Sequence, residues 1–212
     1  MAEKFSHFVL NNRKLFILLI LIYTLFMGYK GLQVEYNYDF SQTVPDTDEE
    51  MIYYNSFKNT FGEDGNVFAI GLKDSSIFEI EKFKLYNEYV TKVENIYGVK
   101  GALGLPRLQA LKKNNEKKNF DFINIFDPFP NSQNEYDSLL NQVNNEKFYE
   151  GKILNDDGAL TLLVTIDKNV LNSESRNKLM NDLISTSEKF SLESGIKLHY
   201  AGLPYSRYVL AE

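Results

Sequence analysis

Residues 159–167 read ALTLLVTID, a run of apolar and β-branched residues too short for a buried helix, which predicts a strand. After it, Asn172 or Ser173 is positioned to cap a helix whose inner side carries Leu179, Met180, Leu183, Ile184 and Phe190 and whose end is marked by Gly195. A second extended stretch, 196–201, closes this β-α-β unit. The same order occurs earlier in the chain. Residues 67–72, VFAIGL, form a strand candidate, and Ser76 with Glu79 makes a capping box. Phe83, Tyr86, Val90, Val93 and Tyr97 mark the inner face of the helix that follows, Gly98 ends it, and 99–105 is extended up to Pro106. Two β-α-β units separated by an interruption predict an α+β domain of the ferredoxin-like, split βαβ kind, over 66–212 with an insertion at about 109–157.

The interruption has two parts. Residues 112–119, KKNNEKKN, read as a solvated polar loop. Residues 120–130, FDFINIFDPFP, carry Phe120, Phe122, Phe126 and Phe129 beside Ile123, and that much apolar surface must be covered by the domain, an oligomer of it, a partner or a hydrophobic ligand. These four phenylalanines are the candidate hydrophobic contact or substrate path, and Asp at Phe122 and Phe126 is expected to abolish their function. Tyr136 to Val143 predicts a short helix, and 155–158, NDDG, a hairpin turn.

Upstream, 15–29 reads LFILLILIYTLFMGY without a charge, between Arg13-Lys14 and Lys30. A span over 15–33 approaches the about 20 residues that a bilayer core requires, with Lys30 able to reach the interface. A signal peptide is the competing reading, although no small-residue cleavage pattern follows; a buried helix would be amphipathic, and this one is apolar all round. Residues 1–14 stay cytoplasmic by the positive-inside rule, and 34–212 lie outside the cytoplasmic membrane. Residues 34–65 connect, with a helix opened by 47–50 and running to Phe61, Thr47 and Glu50 forming a capping box, Gly62 ending it, and Tyr53, Tyr54, Phe57 and Phe61 packing it.

Composition removes several classes. The 212 residues include no cysteine and only two histidines, so thiol chemistry, zinc ribbons and a Ser-His-Asp triad lack their parts. Four basic residues and Glu3 fall in the first 33, leaving 19 basic and 28 acidic residues, a net charge of −9, for 34–212. An acidic domain is a poor match for nucleic acid. Gly98, Gly101 and Gly104 lack dinucleotide-loop spacing, Asp156-Asp157 is a turn signal, Asp121 with Asp127 is the other carboxylate pair that can be drawn, and His199 sits in a strand. No catalytic, metal or cofactor-binding residue is expected.

Several short pieces, taken in order, carry a resemblance. They are Asp39-Phe40-Ser41, Val44-Pro45-Asp46, Phe57-x-x-x-Phe61-Gly62, Gly98-Val99, Phe148-Tyr149-x-Gly151, Asp157-Gly158 and Ala201-Gly202-Leu203-Pro204, behind a basic flank and an apolar helix. Together they resemble the first membrane helix and first periplasmic porter region of the resistance-nodulation-division (RND) superfamily, in its MMPL or Patched-like branch. The resemblance implies a polytopic inner-membrane protein that exports lipids or other hydrophobic compounds on an ion gradient. Its partners would be the lipid bilayer, the remainder of the transporter beyond Glu212, a hydrophobic or lipid substrate, and a homo-oligomer. The family's proton-carrying acids lie in a central membrane helix after the first porter region and have no counterpart here, so the chain is expected to be an N-terminal fragment. The alternative is a complete single-span protein with an extracytoplasmic binding or sensing domain; a membrane-anchored hydrolase is a third reading, with no nucleophile to name.

Overall fold

The computed structural model describes residues 7, 8, 10–33, 45, 47–61, 65–114, 118–146 and 148–211. The extended stretch expected at 34–40 and the stop expected at Gly62 lie outside them. The chain divides into two compact units, 1–39 and 40–212.

In the first unit, α1 runs Arg13–Gly31, 19 residues with Lys30 in the last turn and no buried side chain. At 1.5 Å per residue it is about 28 Å long, near the ~30 Å of a bilayer's hydrocarbon. The helix is long and apolar enough to cross a membrane. Exposure of Leu18, Ile20, Ile22 and Leu25 fits the all-round apolar pattern, which has no inner face to bury.

The second unit opens with α2, Glu49–Phe61. Its cap is Asp48, not Thr47: the Asp48 Oδ1 accepts from the Glu50 N–H at 2.9 Å. Of its aromatic stripe, the burial of Phe61 lies outside the described residues. Tyr53, Tyr54 and Phe57 are all exposed, and Lys58 sits 4.7 Å over the Tyr54 ring. Helical spacing puts apolar groups on one side of a helix; it does not say that the chain itself covers that side.

Strand β1, Val67–Leu72, leads into a 3₁₀ turn, Ser75–Phe78, and then α3, Ile80–Glu94. The expected Ser76/Glu79 capping box is replaced by two other devices. Asp74 accepts from the Ser76 N–H, and Gln133 from the insertion accepts from the Ile80 N–H at 2.8 Å while donating to the Phe78 carbonyl. A capping residue 53 positions away along the chain leaves no local signature. Strand β2, Val99–Leu103, stops two residues before the expected end because Leu105–Arg107 forms a 3₁₀ turn around Pro106. Arg107 fastens that turn to α3, donating to both Glu94 carboxylate oxygens, to Asn87 Oδ1 and to Thr91 Oγ1.

The insertion holds a hairpin, β3 (Gln109–Asn114) with β4 (Asn119–Asn124), and then α4, Gln133–Asn145, capped by Ser132. Residues 112–114 and 119, expected in a loop, are therefore strand. A two-stranded arm standing in solvent has no inner face to demand alternation, so lysines occupy it without a sequence signal. The turn at 155–158 forms as expected, closed by the Gly158 N–H to the Asn155 carbonyl at 2.9 Å. Strand β5, Leu160–Ile166, follows. A short α5, Lys168–Leu171, capped by Asp167, precedes α6, Ser175–Ser194; the Ser173 hydroxyl accepts from the Ser175 N–H at 3.2 Å. Strand β6, Leu198–Ala201, and α7, Leu203–Ala211, end the unit.

The four longer-range strands form one sheet in the order β2-β5-β1-β6, every neighbour antiparallel. Alternation is strict: Phe68, Ile70 and Leu72 of β1 and Leu160, Leu162, Val164 and Ile166 of β5 are buried. That face packs with α3 and α6, which contribute Phe83, Tyr86, Tyr89 and Val90 on one side and Leu179, Met180, Leu183 and Phe190 on the other. Tyr89 stacks on Phe190 at 4.6 Å and its hydroxyl shares a hydrogen bond with Ser187, joining the two helices. Tyr97, expected on the inner face, is exposed because the helix has already ended at Glu94. The chain is thus a mixed α+β protein with one N-terminal apolar helix.

Candidate functional surface

The structure separates the four candidate phenylalanines into two pairs. Phe126 is 4% exposed, with its ring 4.9 Å from Phe83. Phe129 stacks on Phe83 at 5.4 Å with the planes 9° apart, and Tyr136 of α4 stacks on the same ring at 4.4 Å. These groups cover the N-terminal part of α3 and are core. Phe120 and Phe122, by contrast, are 59% and 71% exposed. β4 ends at Asn124, and the turn behind it brings Phe126 and Phe129 inward while Phe120 and Phe122 stay exposed.

The exposed pair belongs to the β3–β4 arm. Cross-strand register sets Lys113 opposite Phe120 and Leu111 opposite Phe122, so Leu111, Phe120, Phe122 and Lys113 share one face. The other face carries Lys112 opposite Asp121, whose Oδ2 accepts from the Asn114 amide at 2.7 Å. At the base, Leu108 and Ile125 are buried and the Ile125 N–H donates to the Leu108 carbonyl at 2.9 Å. Tyr149 grips the edge of β3, its hydroxyl donating to the Gln109 carbonyl at 2.8 Å and accepting from the Gln109 N–H.

A second feature was not legible in advance. A cleft of about 600 Å³ lies between α4 and the 150–158 turn, with Phe78, Leu140 and Tyr149 beside Asp137, Glu150 and Asp156. Its lining comes from three separate parts of the chain; the sequence signalled the turn and the short helix but not that they meet.

The remaining candidates read as structure. Asp157 is held below the usual carboxylate range by the Lys73 ammonium at 2.6 Å and the Ala159 N–H, so of the Asp156-Asp157 pair one member is committed to an ion pair and a turn. Asp121 is engaged by Asn114, and Asp127 lies beyond the end of β4. A side chain at Gly98 would strike Val170 at 2.9 Å, and one at Gly104 would strike Leu162 at 2.8 Å, so these two glycines serve close packing. His199 is exposed on β6. Burial pushes the phenols of Tyr86, Tyr89 and Tyr136 above their ordinary range, which keeps them neutral and unsuited to proton abstraction. Among the described residues no three His, Asp or Glu side chains could hold a metal ion together.

No model of a known protein family matches the chain, and no curated protein matches it either.

Proposed function

We propose that the chain is the N-terminal part of an inner-membrane exporter of the RND type, in the MMPL or Patched-like branch. In this reading α1 is the first membrane helix and 66–212 the first porter domain, with a ferredoxin-like fold. The observation that carries it is the strand order β2-β5-β1-β6, with α3 and α6 on one face, in the unit behind a helix of membrane-spanning length. In a split βαβ arrangement each βαβ unit leaves a gap of one strand that a strand of the other unit fills, and the order β2-β5-β1-β6 supports that reading. Lys4, Arg13 and Lys14 ahead of α1 favour a cytoplasmic N-terminus, which puts 34–212 outside the inner membrane.

The domain would then serve by movement, carrying a lipid or another hydrophobic compound, and not by covalent chemistry. The gradient would be used by membrane helices elsewhere in the transporter. Of the proposed substrate-path residues, Phe120 and Phe122 remain accessible to a substrate or a neighbouring domain, while Phe126 and Phe129 pack against the core.

The test is the intact mass of the native protein, extracted from its source membrane and detected by an antibody against 66–211. The expected mass is several times 24.6 kDa, and cells deprived of the protein should retain more of a hydrophobic dye. A mass near 24.6 kDa with unchanged dye retention contradicts the exporter and favours a single-span binding or sensing protein.

A further inference from the structure

The charge of the extracytoplasmic part is unevenly distributed. Residues 109–124 hold Lys112, Lys113, Lys117 and Lys118 against Glu116 and Asp121, a net of +2 within a region whose total is −9. Lys112, Lys113 and Lys118 are exposed, as are Leu111, Phe120 and Phe122. Apolar side chains that enter the headgroup boundary together with adjacent basic groups are the chemistry of reversible attachment to anionic lipid. An anionic surface repels a domain of net negative charge and attracts the net positive arm. The charge distribution therefore selects both the point of contact and the sign of the partner.

We propose that the β3–β4 arm is a lipid-contacting finger that seats Leu111, Phe120 and Phe122 in the interface of an anionic phospholipid bilayer, with Lys112, Lys113 and Lys118 on the headgroup phosphates. It rests on the reading of α1 as a membrane helix, which makes a bilayer the surface to which the domain is tethered. Each lysine near such a surface strengthens binding about fivefold, and the rings supply the part that does not depend on charge.

The chain has no tryptophan, so a single one is a clean reporter. Phe122→Trp is made in the full chain, which is reconstituted into vesicles of phosphatidylglycerol carrying brominated acyl chains. The expected result is a blue-shifted emission quenched by bromine. Quenching should fall at least about threefold in phosphatidylcholine, and equally with K112Q/K113Q/K118Q added. Emission that stays red and unquenched in phosphatidylglycerol overturns the proposal. A blue shift without bromine quenching also overturns it, since a protein surface, from a second copy or another partner, then covers the arm. Quenching indifferent to both lipid charge and the lysines overturns the anionic-lipid assignment. A separate Tyr23→Trp in α1 reports on the membrane helix. Quenching there with none at Phe122→Trp defeats the finger alone; its absence defeats the membrane reading, and the arm's own signal still decides whether the finger stands.

Discussion

Truncating Phe126 to alanine will destabilise the second unit by about 3–5 kcal/mol, while the same change at Phe122 will cost less than about 1 kcal/mol. Only three residues lie between the two positions, yet Phe126 is 4% exposed and packs at 4.9 Å on the Phe83 ring, whereas Phe122 is 71% exposed. Removing the Phe126 ring leaves a hole between α3 and α4 that Phe83, Phe129 and Tyr136 are too constrained by one another to fill. Urea denaturation followed by near-ultraviolet circular dichroism, which reports tyrosine packing, reads both variants. Equal midpoints for Phe126→Ala and the parent chain would show that the turn after β4 does not bring this segment into the core. The same contrast divides the functional expectation. On the exporter reading proposed above, Phe126→Asp removes export by unfolding the domain, and Phe122→Asp removes it only if the arm's surface is used.

The second large effect is expected at Gly202, between β6 and α7. Its φ is +106°, a conformation that side chains rarely adopt, and a Cβ there would lie 2.4 Å from the Val67 carbonyl oxygen. The neighbouring atom is backbone in β1 and cannot rotate aside. Gly202→Ala therefore has to displace either the β1 edge or the start of α7, including the buried Pro204. A loss of about 3 kcal/mol or more follows from the conformational cost and the clash together. Gly101→Ala is the control: it sits in β2 with open space around its Cβ position and should change the midpoint little. Comparable effects at the two glycines would contradict the close approach of Val67 to the β6–α7 corner.

Much of this architecture was legible because one physical signal was strong. Strands β1 and β5 alternate buried and half-buried residues along their whole length, and the inner faces of α3 and α6 repeat at helical spacing. Those patterns reflect a single core and survive in the sequence. The elements missed are those whose partners lie far along the chain or in solvent. Gln133 caps α3 from the insertion, Asp48 displaces Thr47 by one residue, and the β3–β4 arm is polar enough on paper to read as a loop. The phenylalanine cluster was visible as apolar density, but which members faced inward depended on where β4 ended. The aromatic stripe of α2 carried a correct helix but no sign that Tyr53, Tyr54 and Phe57 are exposed, since its periodicity is the same whether or not the chain covers it.

The measurement that tests the account most directly is the sidedness of two introduced cysteines, made clean by the absence of native ones. Asn11→Cys precedes α1, and Leu192→Cys lies on α6 at a position 85% exposed. A membrane-impermeant maleimide applied to intact spheroplasts should label Leu192→Cys at once and Asn11→Cys only after lysis. Labelling of Asn11→Cys from outside, protection of Leu192→Cys until lysis, or loss of residue 11 from the mature protein would each contradict a retained α1 with the α+β domain outside the membrane.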